Sequence, residues 1–361
     1  TVSKRDQQFI EMAVRDAKMR NPRVDEAVFN YLRDLLLLRN LDQFPETERQ
    51  GVIDFVMRFQ QITGPVMAKS VEDTLFYVYT RLVSVNEVGG SPSMFGITPA
   101  QFAEENMKRC RLWPRAMLAT STHDTKRSED VRARLNVLSE LPEAWSTALE
   151  SWARLNEPHK VMLEGGPAPS ANDEYLLYQT LLGTYPFEMN DVDTYAERIV
   201  QYMAKATKEA KVFTSWTNPN EAYDNAVAEF VGKVIKSDAF LEAFLPLQRQ
   251  IAYFGQFNSL AQTLLKLTCP GVPDTYRGTE VWDFSLVDPD NRRPVDYDHL
   301  RDMLHQITGR LEDRAALADD VLANREDGRI KLYVLHTALT LRRALPDLFI
   351  EAPFLPLTVI R

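Results

Sequence analysis

Ala116-Met117-Leu118-Ala119-Thr120-Ser121-Thr122-His123-Asp124-Thr125-Lys126-Arg127 is the stretch from which the fold class reads most directly. Its first five residues form a short apolar run, of the length and character of a buried strand. The next seven are dense in hydrogen-bonding and charged side chains. Val131, Leu135 and Leu138 then recur at helical spacing. Strand, loop and helix in that order make a βα unit. Loops at the carboxyl ends of parallel strands are where α/β active sites assemble.

Two further runs read as strands. Val66-Met67-Ala68 follows the breaker pair Gly64-Pro65, and Val272 sits in the turn-rich stretch Cys269-Pro270-Gly271-Val272-Pro273-Asp274. Between and around them the period is helical. Residues 3–20 carry Phe9, Ile10, Ala13, Val14 and Ala17 on one face, and Asp25 is a candidate N-cap for the helix that follows. Pro45-Glu46 opens a helix through Val52, Val56 and Phe59. Helices are also expected over 72–83, 99–111 and most of 142–235, with breaks at Pro158, at 165–169 and near Pro219. Residues 238–267 read as one long helix with Phe244, Ile251, Phe254 and Leu264 inward. Residues 86–98 and 288–294 read as loops.

The fold class is therefore mainly α, with short strands near 66, 117 and 272 separated by helices. Such alternation implies a parallel sheet with crossover connections. So few strands cannot close a barrel or satisfy their own edges. The sheet is expected to be part of a larger one. The chain opens on Thr1 rather than Met, which fits a piece of a longer polypeptide.

Composition narrows the function. Among 361 residues, 42 Lys and Arg face 51 Asp and Glu, a net charge of −9. That balance speaks against a phosphate-tracking nucleic-acid binder. No window approaches a membrane span. The two cysteines, Cys110 and Cys269, fit no metal spacing, and a reducing cytoplasm with both thiols buried is the simple reading. The five histidines show no HExxH pattern, and GxGxxG, P-loop and GxSxG strings are absent. The metal reading is therefore weak.

In the stretch quoted above, His123, Asp124, Lys126 and Arg127 are placed to hydrogen-bond a polar ligand. The alternative is that Asp124 or Thr125 only caps the next helix and the basic residues are solvated. Lys69-Ser70-Val71-Glu72-Asp73 occupies the same position after the run near 66, with a surface ion-pair cluster as its alternative. Trp282, beside a loop, is a candidate sugar platform.

Thr122-His123-Asp124 after an apolar strand resembles the fourth conserved region of the α-amylase family of (β/α)8 barrels. The stretch from Pro270 to Glu280, with Asp288-Pro289-Asp290-Asn291-Arg292-Arg293-Pro294 beyond it, resembles that family's last barrel strand and following loop. Gly64 to Thr74, Asn86-Glu87-Val88-Gly89-Gly90 and Ser121 to Arg134 narrow the resemblance to the maltooligosyltrehalose synthases, over nearly the whole chain.

That resemblance implies helical insertions plus the last strands and helices of an incomplete (β/α)8 barrel. Residues 1–62 would be a helical insertion and 63–141 a partial barrel with its sixth and seventh strands. Residues 142–235 would be a second insertion, and 236–361 the eighth strand and the start of a C-terminal region. It also implies an intramolecular transglucosylation of maltooligosaccharides that needs no cofactor or metal. The reducing-end α-1,4 bond is cleaved through a covalent glycosyl-enzyme, and the released glucose attacks with its anomeric hydroxyl to give an α,α-1,1 bond. By resemblance Asp124 is the third carboxylate of the site, gripping sugar hydroxyls, and His123 donates to the same sugar. Lys126 and Lys69 would hold the accepting glucose, with Arg127 and Glu72 as further substrate-binding residues. The family's nucleophile Asp, in an Arg-x-Asp string, and its acid Glu would precede everything here, and neither string is present. A non-catalytic helical glycan- or protein-binding module and another α-amylase-family glucanotransferase are the competing expectations.

Overall fold

The computed structural model describes residues 2–357 and divides into two units, Thr1–Val71 and Glu72–Arg361.

The first unit is helical. α1 (Lys4–Arg20) starts at Ser3, which shares a reciprocal capping box with Asp6, and α2 (Glu26–Leu36) starts at Asp25, the expected cap. α3 (Glu46–Met67) follows Pro45 as predicted, but does not stop at Gly64-Pro65. It carries Pro65 inside it and widens into a π-helix, Ala68–Leu75, that runs into the second unit. The strand expected near 66 is thus a correction. Val66 and Met67 are 58% and 59% exposed on a helix. A three-residue apolar run becomes a strand only beside a neighbour that takes up its backbone groups. Among the described residues none pairs with it.

In the second unit the π-helix leads to a single turn, α4 (Phe76–Val78), and then to an extended segment with a 3₁₀ turn at Val83–Val85. The helix expected over 72–83 therefore ends early. α5 (Pro99–Leu112), capped by Thr98, precedes β1 (Met117–Leu118), and α6 (Glu129–Asn136) follows the polar loop. α7 (Pro142–Asn156) leads to a hairpin, β2 (Val161–Leu163) and β3 (Gly166–Ala168), where the sequence showed only a helix break. α8 (Ala171–Thr184), α9 (Val192–Ala210) and α10 (Glu221–Ile235) complete the expected helical region. α11 (Asp238–Thr268) is the long helix, and β4 (Val272–Pro273) pairs parallel with β1, Met117 opposite Val272. α12 (Tyr297–Thr308), α13 (Arg314–Ala323), α14 (Arg329–Ala344) and α15 (Pro346–Ile350) close the unit.

One aromatic core joins 131–138, 142–235 and the first half of α11. Trp152, fully buried, meets Trp145, Tyr178, Phe240 and Phe244 at ring separations of 5.3–5.7 Å. A second cluster packs Leu267, Ile307, Leu317, Val321 and Leu335. The far half of α11 is not wholly inward as predicted. Phe254 and Leu264 are 46% and 48% exposed.

Gly271 fixes the approach of the two parallel strands. Its φ is +130°, and a Cβ there would lie 2.7 Å from the Leu118 side chain and 2.8 Å from the Ala116 carbonyl oxygen. That space lets Val272 N–H donate to Ala116 O at 2.9 Å and Asp274 N–H to Leu118 O at 2.8 Å.

Candidate functional site

The loop between β1 and α6 is built by its own short side chains. Thr125 donates its hydroxyl to the Thr122 carbonyl at 3.0 Å, and the Asp124 N–H donates to Thr122 Oγ1 at 3.2 Å. These turns leave His123 and Asp124 at the surface, the Asp124 side chain 52% exposed. The next side chain turns in. Lys126 is 2% exposed, with Nζ 2.8 Å from Asp73 Oδ1 and 3.5 Å from Asp124 Oδ1. A buried ammonium thus stands behind an exposed carboxylate, held by a second carboxylate.

The rest of the rim is tied to the same loop. Lys126 O accepts from Val287 N–H at 3.1 Å, and Arg127 bridges antiparallel to Leu286. Asn291 donates its side-chain amide to the His123 carbonyl at 2.9 Å, while Arg277 donates to Asn291 O at 3.0 Å. The segments after β1 and β4 are therefore joined where an α/β sheet places its chemistry.

Arg127 does not join the surface group. It is 1% exposed and donates to Tyr202 Oη at 2.9 Å and Val83 O at 3.3 Å, so it anchors the loop to the core and touches no open space. Sequence spacing had placed it with ligand-facing residues. Its partners lie 75 and 44 residues away. Glu72 accepts the Gly89 N–H at 3.0 Å, beside the Asp73 that grips Lys126. Lys69 lies in the first unit, on the same π-helix. Trp282 donates its indole N–H to Arg325 O at 2.7 Å and packs against the second core cluster, an anchor and not a sugar platform.

Four acidic residues escaped the sequence reading. Asp73 was noted only as one member of a surface cluster. Glu87, 8% exposed, accepts the N–H groups of Lys126 and Arg127 at 2.7 and 3.2 Å. Glu129 and Asp130, at the start of α6, are 2% exposed and close on Lys331 of α14. Lys331 Nζ lies 2.8 Å from Glu129 Oε1 and 2.9 Å from Asp130 Oδ2, and Lys266 Nζ lies 3.7 Å from Glu129. The Ser121 hydroxyl accepts the Glu129 N–H at 2.9 Å, and the Thr120 hydroxyl bonds the Glu129 carboxylate.

Burial alone would raise the Glu129 carboxyl, but the charges of Lys331 and Lys266 and the hydrogen bonds from Lys331 and Thr120 outweigh it and hold it at about 2. Asp130 goes the other way, raised by burial and by the Glu129 charge beyond what Lys331 returns. Burial pulls Lys331 down, yet Asp130 and Glu129 carry it above the ordinary lysine value. Lys266 is lowered by burial.

A cleft of about 660 Å³ borders β1 and is walled by Phe102, Arg109, Met117, Leu118, Gln262 and Leu265. None of His123, Asp124 or Lys126 lines it. The candidate loop is therefore not part of this cleft. Among the described residues no cluster of His, Cys, Asp or Glu is placed to hold a metal, and no helix is long and apolar enough to cross a membrane. Cys110 and Cys269 are both free thiols, Cys110 only half-buried.

No family model matches the chain. A protein of Mycobacterium tuberculosis, provisionally named a maltooligosyl trehalose synthase, is 39% identical over 300 residues, 83% of this chain and 35% of that protein. The solved maltooligosyltrehalose synthase of Arthrobacter ramosus superposes with a TM-score of 0.77 at 34% identity, covering 95% of this chain and 40% of that one. A hypothetical maltooligosyl trehalose synthase of Sulfolobus tokodaii gives 0.71 at 32% identity, over 99% of this chain and 48% of that one. The resemblance read from the sequence is thus borne out in sequence and in structure. The chain spans about a third of the curated relative it matches.

Proposed function

We propose that this chain, homologous along most of its length to the maltooligosyltrehalose synthases, supplies the closing part of the barrel of such an enzyme. β1 and β4 are then its seventh and eighth strands, with the segments 1–62 and 142–235 as helical insertions. Met117 and Val272, 72% and 46% exposed on a two-stranded sheet, support the reading, because parallel strands are normally covered on both faces. The complete polypeptide acts as a (1→4)-α-D-glucan 1-α-D-glucosylmutase on maltooligosaccharides in trehalose biosynthesis.

The observation that carries this is Asp124, exposed on a braced loop after a parallel strand with a buried ammonium 3.5 Å behind it. A retaining site needs a nucleophile and an acid carboxyl about 5–5.5 Å apart. Neither family string occurs here, so this chain contributes the third carboxylate. Hydrogen bonds from sugar hydroxyls to Asp124 strengthen as the ring becomes oxocarbenium-like. His123 binds the same sugar. Lys126 acts on the accepting glucose through the Asp124 carboxylate that it stands behind, while Arg127 and Glu72 act from behind by fixing the loop and its neighbour. No cofactor is called for, and a water-poor site favours return of glucose over hydrolysis.

The test is product identity. The complete polypeptide, incubated with maltopentaose, should remove reducing ends without changing the sugar's mass and should give an α,α-1,1 anomeric resonance. Glucose and maltotetraose as the products overturn the proposal.

A further inference from the structure

The Asn86-Glu87-Val88-Gly89 segment touches the candidate loop without belonging to it. Asn86, fully buried, donates to the Phe76 and Tyr79 carbonyls at 3.0 and 2.6 Å, so the segment is fixed. Glu87 then reaches 39 residues along the chain. One carboxylate oxygen accepts the Lys126 N–H at 2.7 Å and its own neighbour Val88 N–H at 2.8 Å. The other accepts the Arg127 N–H at 3.2 Å, with Arg132 Nε at 3.5 Å. Two adjacent backbone donors facing one side chain need an acceptor at both of its terminal atoms. A carboxylate meets that need and an amide does not, because an amide places an NH₂ against one of the donors.

Lys126 is the residue whose ammonium lies between Asp73 and Asp124. Its backbone is set by Glu87 and its side chain by Asp73, which follows the Glu72 bonded to Gly89. Small displacements of groups around a reacting centre are costly, on the order of a hundredfold for about 1 Å.

We infer that Glu87 is a positioning residue for the transfer step, holding the Lys126 backbone so that the Lys126 ammonium and Asp124 carboxylate keep their relation to the sugars. The inference rests on the proposed isomerisation. Product partition reads it well, since the ratio of released glucose to trehalosyl product does not depend on how much enzyme is folded. In the complete polypeptide, Glu87→Gln should lower kcat roughly 10–100-fold with KM changed less than about threefold. The free-glucose share should rise severalfold, because a loosened acceptor is lost to water more often. Glu87→Asp, one methylene shorter but still charged, should fall between Gln and wild type. Glu87→Gln should also lower the melting temperature, since its NH₂ faces a buried donor, and the product ratio is read independently of that loss. If wild type makes trehalosyl ends and both variants partition products as it does, the positioning role falls and the functional reading stands. If wild type makes none, both fall.

Discussion

Asp124 and Glu129 lie in one strand-loop-helix segment and are used in opposite ways. Asp124 is half exposed with a lysine behind it. Glu129 is sealed, and with Asp130 it receives Lys331 from 201 residues away. Both are carboxylates beside lysines. Exposure decides what each can do. A solvated carboxylate is available to a ligand at little cost to the fold, whereas a buried one must keep its partners or become an uncompensated charge. The two are linked through the Ser121 and Thr120 bonds to Glu129, so the buried cluster is the footing on which the exposed loop stands.

The comparison breaks if the exposed carboxylate turns out to matter for folding. Asp124→Asn in the complete polypeptide should cut turnover by about a thousandfold, comparable to removal of a transition-state hydrogen-bonding group. Its melting temperature should stay within about 1 °C of wild type. A matched fall in melting temperature and turnover would place Asp124 with the fold. The converse change is Lys331→Met, which leaves the two buried carboxylates with Lys266 alone. Urea unfolding of this chain should show a loss of about 3–5 kcal/mol. A loss under 1 kcal/mol would mean that the cluster is wetter and weaker than its geometry indicates.

Acid sharpens the contrast further. Glu129 is held at about 2 against an ordinary 4.5. A lowered folded-state value contributes stability that is complete above 4.5 and is lost as pH falls through that interval toward 2. The contribution is at most about 3 kcal/mol, and the raised Asp130 works against it, since its protonation on acidification favours the folded state. Glu129→Gln should therefore flatten the fall in stability between about pH 4.5 and 2, measured by urea midpoints at stepped pH. An unchanged slope would assign the acid loss to other carboxylates. The smallest effect is expected at the rim. Asn291→Ala removes the hydrogen bond to the His123 carbonyl and should cost about 1 kcal/mol, or about fivefold in kcat/KM, with stability unaltered.

Local pattern made the Ser121–Arg127 loop legible in the sequence. An apolar run, a polar cluster and a helical period lie side by side there, and their order carries the chemistry. The caps Asp25 and Pro45 and the long α11 were legible for the same reason. Val66-Met67-Ala68 was not, because three apolar residues fit helix and strand equally and the choice rests on whether a neighbour is there to pair. Arg127 and Trp282 looked exposed because their neighbours in sequence are polar. Their partners Tyr202 and Arg325 are distant in sequence and adjacent only in the fold. Glu87 and Lys331 were missed likewise. A carboxylate in a glycine-containing loop and a lysine on an amphipathic helix carry no local sign that they point inward.

The most direct measurement incubates the 361-residue chain and the complete polypeptide side by side with maltopentaose and follows reducing ends. No loss is expected with the chain alone, which under the proposed function carries Asp124 without the nucleophile or the acid, and steady loss is expected with the complete polypeptide. Turnover by the chain alone would contradict it, because a second and a third working carboxylate would then have to lie among the residues described above.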